Sequence, residues 1–203
     1  MKKKMIIAIV VVLLVAMLAG CGGDANGAKK LVRGSWAGDT YTNEYLNLTF
    51  TMPEGWSSMS DEQLATLMGL SADNLAAAGV EVNKEMLELM TIVDMQAQDP
   101  MTGNNVLVNI ENIGKMAKNV VSEEDYIDLT REQLEEAYGY TFSDYTTETV
   151  AGETYTMAKG EVTMSGIAMS QYFYVRKVDK YMLAIIVTVV DGSDVSVVMN
   201  QFS

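Results

Sequence analysis

The sequence predicts an α+β fold in which a single antiparallel β-sheet of about six to seven strands carries helices packed on its faces. Apolar and polar residues alternate from residue 46 to 52, the period of a strand with one buried face. Four strand-like segments separated by short turns follow residue 141, and such tight connections make neighbouring strands antiparallel. Helical patterns lie before, between and after the strands, an order typical of α+β proteins.

The first strand and helix are predicted from a short stretch of sequence. The apolar positions of the strand are Leu46, Leu48, Phe50 and Met52. The turn signal at residues 53–56 ends the strand, and Ser60 with Gln63 forms a capping box that predicts a short helix. Residues 71–89 continue with a helical composition that is interrupted near Gly79.

Two further strands are predicted at residues 91–97 and 106–113. The turn signal at residues 99–103 lies between them, so we expect a hairpin. Ser122 and Asp125 then form a second capping box in front of the clearest helix of the chain, which Gly139 is placed to end.

The last part of the domain is predicted to be a meander of four strands between residues 141 and 190. Turn signals at residues 151–152, 165–166 and 179–180 divide it. Residues 181–190 are apolar almost throughout, as in a central strand covered on both faces. Residues 191–194 are expected to cap a final helix. We also predict that Phe50 and Ile185 are buried in one common core.

The start of the chain has the pattern of an export signal. Lys2, Lys3 and Lys4 precede an apolar run that extends to Ala19, and the run closes with Leu18, Ala19, Gly20 and Cys21. This resembles the signal peptide and cleavage motif of bacterial lipoproteins. The apolar run is about fifteen residues long, and a membrane-spanning helix needs about 20, so cleavage is the better interpretation.

The resemblance implies that Cys21 becomes the acylated first residue of the mature chain, carrying lipid chains such as palmitate. Two acyl chains hold a protein at a membrane far more firmly than one. Cys21 is the only cysteine, so the domain uses no disulfide. We therefore predict a lipid-anchored protein on the extracytoplasmic face of the cell membrane.

The predicted organisation has three parts. Residues 1–20 form the signal peptide, and residues 21–40 form the lipidated cysteine with a flexible tether rich in Gly, Ala and Asp. Residues 41–203 form a single domain of about 160 residues. Trp36 is expected to dock on that domain.

The charge of the chain argues against a nucleic acid partner. The net charge is −13, and it becomes −16 when the leader with its three lysines is removed. A field of this sign repels phosphate backbones and anionic lipid headgroups. The membrane contact is therefore predicted to depend on the lipid.

Two segments of the domain carry a family resemblance. Residues 45–56, which end in Pro53-Glu54-Gly55-Trp56, resemble the opening strand and turn of the PsbP/Mog1-like proteins. Residues 171–175 and 181–188 resemble the central hairpin of that family. The resemblance implies a non-enzymatic subunit or partner-binding module. The metal association of the family partly involves histidines, and this sequence has none, so it is not carried over to any residue.

The absence of histidine excludes the usual catalytic and zinc sites. Ser-His-Asp and Cys-His nucleophile systems and imidazole zinc sites cannot be built. The sequence also has no P-loop or dinucleotide fingerprint. We therefore predict no catalytic residues and no cofactor.

Two weaker metal hypotheses are set aside. The helix predicted after Ser122 carries four acids on its exposed side, which could suggest a calcium site: Asp128, Glu132, Glu135 and Glu136. These acids lack the spacing of a calcium-binding loop. Met86 with Met90, or Met164 with Met169, could suggest Cu(I), but methionine more commonly fills core gaps. We expect the domain to fold without metal.

Three functions remain open at this point. The first is a tethered binding or assembly module for another envelope protein, and it leads. The alternative is a small-ligand-binding lipoprotein that serves a transporter, although about 160 residues is small for the two lobes of such receptors. The third is an enzyme that uses carboxylates. A deep pocket lined by tyrosine and acids would favour the alternative, whereas an apolar or aromatic patch would favour the first.

Overall fold

The computed structural model of the protein describes residues 31–68, 91–113 and 122–203. These ranges contain eleven strands and three helices. The strands are β1 (Ser35–Ala37), β2 (Thr40–Asn43), β3 (Leu48–Thr51), β4 (Ser57–Ser58), β5 (Thr91–Gln98), β6 (Asn105–Asn112), β7 (Thr141–Phe142), β8 (Thr146–Val150), β9 (Glu153–Met164), β10 (Ile167–Val178) and β11 (Tyr181–Val190). The helices are α1 (Asp61–Leu67), α2 (Glu123–Tyr138) and α3 (Ser196–Met199).

The strands form two antiparallel sheets, so the prediction of a single sheet is wrong. The main sheet has eight strands in the order β4-β5-β6-β11-β10-β9-β7, and β8 also pairs with β9. The small sheet has the order β1-β2-β3. β3 carries the alternation that predicted the first strand, but it pairs with β2 on one side and with the C-terminal residue on the other, through the Thr49 N–H to Ser203 C=O bond of 2.9 Å. The α+β class and the antiparallel pairing are confirmed.

Each face of the main sheet is covered by a different layer. One face packs against the small sheet and α3, and its core contains Phe50 and Ile185, both 0% exposed, as predicted. The opposite face, here called the helix face, packs against α1 and α2 through Leu64, Ile127 and Leu134. All residues of β11 are buried because this central strand is covered on both sides.

The folded domain begins earlier than predicted. Leu31 is buried, and the ring of Trp36 lies 5.6 Å from that of Tyr41 and 6.4 Å from that of Phe50. The docking of Trp36 is confirmed, and the prediction of a flexible tether up to residue 40 is wrong for residues 31–40. Residues 21–30 lie outside the described ranges.

The turns of the meander are those expected from the sequence. Ala151 and Gly152 both have positive φ, as do Ser165 and Gly166, which is the backbone of two-residue hairpin turns. The hairpin of β5 and β6 is also confirmed.

The helix boundaries match the predicted caps at α1 and α2 but not at α3. Both capping boxes are present, and Gly139 ends α2 with a φ of 71°. At α3 the N-cap is Val195, and the Asp194 carboxylate accepts the Ser196 N–H instead. Residues 71–89, predicted to be helical, lie outside the described ranges. No helix in the described part of the chain is long and apolar enough to cross a membrane.

Candidate functional site

The residues predicted to carry the lipid anchor, Leu18, Ala19, Gly20 and Cys21, lie outside the described ranges. The anchor therefore stays a prediction. The four acids of the second helix are exposed, and no cluster of three metal-ligating side chains occurs in the residues that the structure describes. Met164 and Met169 pack in the core of the helix face, whereas Met86 and Met90 lie outside the described ranges.

An unpaired strand edge lies at the tip of the β9–β10 hairpin. β8 pairs with residues 153–157 of β9, and β7 pairs only with Gly160 and Glu161. The last residues of β9, Val162 to Met164, pair with β10 on their inner side. Within the described ranges no strand pairs with their outer side. The hairpin tip thus extends beyond the strands that protect the rest of this edge.

An open groove lies at this hairpin tip, lined by β9, β10, the end of α2 and Gly192. We call it the hairpin groove; it has a volume of about 740 Å³. Its lining residues are Tyr138, Gly139, Thr141, Glu161, Val162, Thr163, Ala168, Met169, Ser170 and Gly192. Val162 and Met169 are buried core residues, while Tyr138 is 37% exposed. The groove therefore combines two buried apolar side chains, one partly exposed aromatic ring and polar residues of the strands.

The end of α2 shapes one wall of the groove. Gly139 takes the left-handed conformation and redirects the chain, so that Tyr140 turns inward and its hydroxyl donates to Gln171 Oε1 at 2.7 Å. Phe142 then packs against the rings of Tyr140 and Phe173 at 5.9 and 5.6 Å. Because the chain enters the sheet from α2 only at Thr141, which pairs with Glu161, no described strand pairs with the outer side of Val162 to Met164.

The surroundings of the hairpin groove are mainly acidic. Glu161 lines it, and the last turn of α2 contains exposed Glu135 and Glu136 and no basic residue. The C-terminal end of a helix carries a partial negative charge, which adds to this field. Lys159 Nζ contacts Glu161 at 2.5 Å and balances that one carboxylate. The remaining charges favour a cationic ligand.

A second polar feature is buried on the helix face. Gln96, Asn105 and Asn109 of β5 and β6 are each at most 4% exposed, and their side-chain carbonyl oxygens have no hydrogen-bond partner among the described residues. We call these residues the polar face. On the neighbouring strands the polar groups are satisfied, because Gln171 Nε2 donates to Thr188 Oγ1 at 3.0 Å. A buried acceptor without a donor is costly, so the polar face suits water or a donor-rich ligand.

Glu111 adds a titratable group beside the polar face. Its carboxylate accepts the Tyr126 hydroxyl at 2.8 Å. Burial raises the pKa of Glu111 from its ordinary 4.5 to about 7, and the Tyr126 hydrogen bond opposes this only in part. Burial also raises the pKa of Tyr126 well above its usual value. Glu111 therefore takes up a proton near neutral pH.

This raised pKa predicts a pH-dependent stability. The folded state holds a proton that the unfolded chain releases above pH 4.5, so the free energy of unfolding falls as pH rises toward 7. Between pH 4.5 and about pH 8, we expect the wild type to lose up to about 3 kcal/mol of its free energy of unfolding through Glu111. Glu111→Gln should not show this loss. Denaturant unfolding across this range measures the difference. Exposed Glu132→Gln is the control, and equal pH profiles of the wild type and Glu111→Gln would contradict the prediction.

A buried carboxylate at a β-bulge is structural. Asp94 lies where the register of β5 shifts, and it is 2% exposed. Its oxygens accept the Gly34 N–H at 3.1 and 3.2 Å, the Tyr41 hydroxyl and Asn43 Nδ2 at 2.7 Å, and Arg33 Nε lies 3.3 Å away. Burial first, and then the charge of Asp94, raise the pKa of Tyr41. Because these donors occupy both oxygens, Asp94 fastens residues 33–43 to the main sheet.

Comparisons with known proteins give only a distant likeness. No protein-family model matches the chain, and no curated protein matches its sequence. Among solved structures, it is similar to cyanobacterial PsbP (CyanoP) from Synechocystis sp. PCC 6803, with 13% identity and a TM-score of 0.48 over 92% of this chain and 98% of that one.

A second similar structure is LpqN, involved in cell envelope biogenesis of Mycobacterium tuberculosis. Its identity is 11% and its TM-score 0.42, over 77% of this chain and 82% of that one. One of the two proteins is thus a PsbP, the family that the sequence motifs resemble. At these scores neither likeness assigns a function.

Proposed function

We propose that this chain is a lipid-anchored binding or assembly module, held by Cys21 on the extracytoplasmic face of the cell membrane, that engages another envelope protein without catalysing a reaction. The leader that closes with Leu18, Ala19, Gly20 and Cys21 supports the anchor. The observation that carries the binding role is the hairpin groove beside an unpaired strand edge.

The groove supports protein binding for a physical reason. An unpaired strand edge presents backbone N–H and C=O groups that pair readily with another chain, and folded proteins commonly protect such edges. Among the described strands, β7 and β8 protect β9 only as far as Glu161, and the exposed ring of Tyr138 lies beside the open part. Aromatic side chains of this kind are enriched in protein interfaces.

The groove does not have the features of a carboxylate active site. Acid–base catalysis requires carboxyl groups placed for proton transfer. Glu161 is the acid in the groove lining, and Lys159 already contacts it. This pairing is the support for a non-enzymatic role.

The proposal is tested by Cys21→Ala in the full chain. Wild-type protein should fractionate with membranes and, after crosslinking in intact cells, should yield an envelope protein partner. The variant should appear as a soluble protein or an unprocessed precursor and lose that crosslink, because it lacks the thioether lipid that holds it near the partner.

The control for this experiment is Gly23→Ala, which leaves the cleavage motif intact and should behave as the wild type. Normal processing and undiminished membrane retention of Cys21→Ala would refute the anchor. Wild-type protein that remains on the membrane without crosslinking to any protein would refute the binding role.

A small-ligand-binding lipoprotein is the second candidate function, and the polar face favours it. Three buried amide oxygens that accept no hydrogen bond from the described residues could recognise a polar ligand that supplies N–H or O–H groups. The two candidate functions use different parts of the domain. Loss of the protein's function in cells on substitution of Asn109, but not on substitution of residues in the hairpin groove, would favour the second candidate.

A further inference from the structure

We infer that the hairpin groove receives a positively charged, extended segment of the partner protein, which adds as a strand to the outer edge of β9 at Val162 to Met164. This rests on the proposed binding function and specifies the chemistry of the partner. The backbone, the side chains and the charge of the groove each define one property of this segment.

The backbone sets the conformation of the segment. β9 and β10 each contain twelve residues, so the hairpin is long and its tip is held in register by the pairs Val162–Met169, Thr163–Ala168 and Met164–Ile167. A segment lying in line with β7 would meet a rigid, already extended strand. Strand addition of this kind obtains affinity from main-chain hydrogen bonds and specificity from alternate side chains.

The side chains set what the segment must present on its two faces. Successive residues of a strand point to opposite sides. On the helix face, the added side chains would lie beside Val162, which is 8% exposed, and the ring of Tyr138. On the opposite side they would lie beside exposed Thr163 and Glu161. An alternation of apolar and polar residues fits this surface.

The charge sets the sign of the polar residues. Glu135 and Glu136 lie in the last turn of α2, whose C-terminal end also carries partial negative charge, and Asp191 precedes the groove residue Gly192. A cation placed over Tyr138 would gain a cation–π contact as well. A second copy of this chain would bring the same acidic surroundings against each other, so a Lys- or Arg-containing segment of a different protein is the occupant.

The first test uses full-length lipoprotein in detergent micelles and a displayed library of random decapeptides. We expect the selected peptides to be enriched in Lys and Arg and depleted in Pro, Asp and Glu. N-methylation of alternate backbone nitrogens in a selected peptide should weaken its binding about tenfold or more in one of the two alternations, because those N–H groups pair with β9. No enrichment, enrichment without basic residues, or indifference to N-methylation in both alternations would overturn the inference.

Matched variants locate the binding. The double variant Glu135→Gln with Glu136→Gln should bind the selected peptide with roughly 3–10-fold lower affinity, and Tyr138→Ala should lower the affinity further. The control is Glu62→Gln with Glu124→Gln, which removes the same charge from exposed sites elsewhere on α1 and α2 and should leave affinity unchanged. Equal weakening by both double variants would mean that general charge attraction, not the groove, holds the peptide, and would overturn the assignment.

Crosslinking in intact cells separates this inference from the proposed function. A photo-crosslinking residue is placed at Thr163 beside the groove or at Val197, which is 53% exposed on α3. An envelope protein captured at Thr163 through a basic segment supports the inference. Capture only at Val197 overturns the inference and leaves the binding role standing, whereas capture at neither position contradicts both.

Discussion

Replacement of Phe50 by alanine is expected to lower the free energy of unfolding by about 3–5 kcal/mol. Phe50 is completely buried, and its ring lies 4.9 Å from that of Phe202 and 6.4 Å from that of Trp36. The side chain of Phe50 therefore links β3 to β1, to the C-terminal residues and to the core over the main sheet. Alanine would leave a cavity among these elements.

Chemical denaturation of the full chain measures this loss. Val197→Ala, at a side chain that is 53% exposed, is the control and should change stability by less than about 0.5 kcal/mol. Phe50→Leu should cost less than Phe50→Ala because it leaves a smaller cavity. A cost below about 1 kcal/mol for Phe50→Ala would contradict the position of this ring at the junction of the layers.

Local signals explain why much of the meander was predictable. Ala151-Gly152 and Ser165-Gly166 form turns in which both residues have positive φ, and this backbone is encoded within two or three residues. The same is true of α2, where Ser122 and Asp125 exchange hydrogen bonds with each other's backbone. Each of these elements depends on residues that are close in sequence.

The small sheet was not predictable in this way because its pairing is non-local. β1 and β2 are short and contain Ser, Thr and Asn, which resemble a linker by composition. β3 obtains its second neighbour from the far end of the chain, where Ser203 exchanges backbone hydrogen bonds with Thr49 at 2.9 and 3.0 Å. No period in the sequence indicates such a partner.

The candidate site was missed for two different reasons. Val106, Val108 and Ile110 alternate with Leu107 and Asn109, a pattern in which the polar member is normally on a solvated face, yet both faces of this sheet are covered. The hairpin groove depends on where β7 stops relative to β9, which is a property of the assembled sheet. Asn109 among the apolar residues of β6 was a local signal for the polar face.

Loss of the Asp94 carboxylate should be as costly as loss of the Phe50 ring. Asp94→Ala would leave Arg33, whose side chain is 11% exposed, without its buried partner, and would remove the acceptor of Tyr41 and Asn43. Removing one member of a buried ion pair typically costs about 3–5 kcal/mol. We therefore expect Asp94→Ala to lower the free energy of unfolding by this amount. The substitution should also accelerate hydrogen exchange more in residues 33–43 than in β10 and β11.

The surface partner of Arg33 provides the matched control. Asp61 lies 3.3 Å from Arg33 Nη1, but its side chain is 77% exposed, so Asp61→Ala should cost less than about 1 kcal/mol. Asp94→Asn keeps the shape of the side chain and removes its charge. Its stability cost should lie between those of Asp94→Ala and Asp61→Ala, because the amide oxygen can still accept a hydrogen bond from Tyr41 but the amide cannot form an ion pair with Arg33. If Asp94→Ala costs no more than Asp61→Ala, or if exchange accelerates equally in β11, the bulge does not fasten the N-terminal strands, and their attachment must depend on the packing of Trp36 and Phe50 alone.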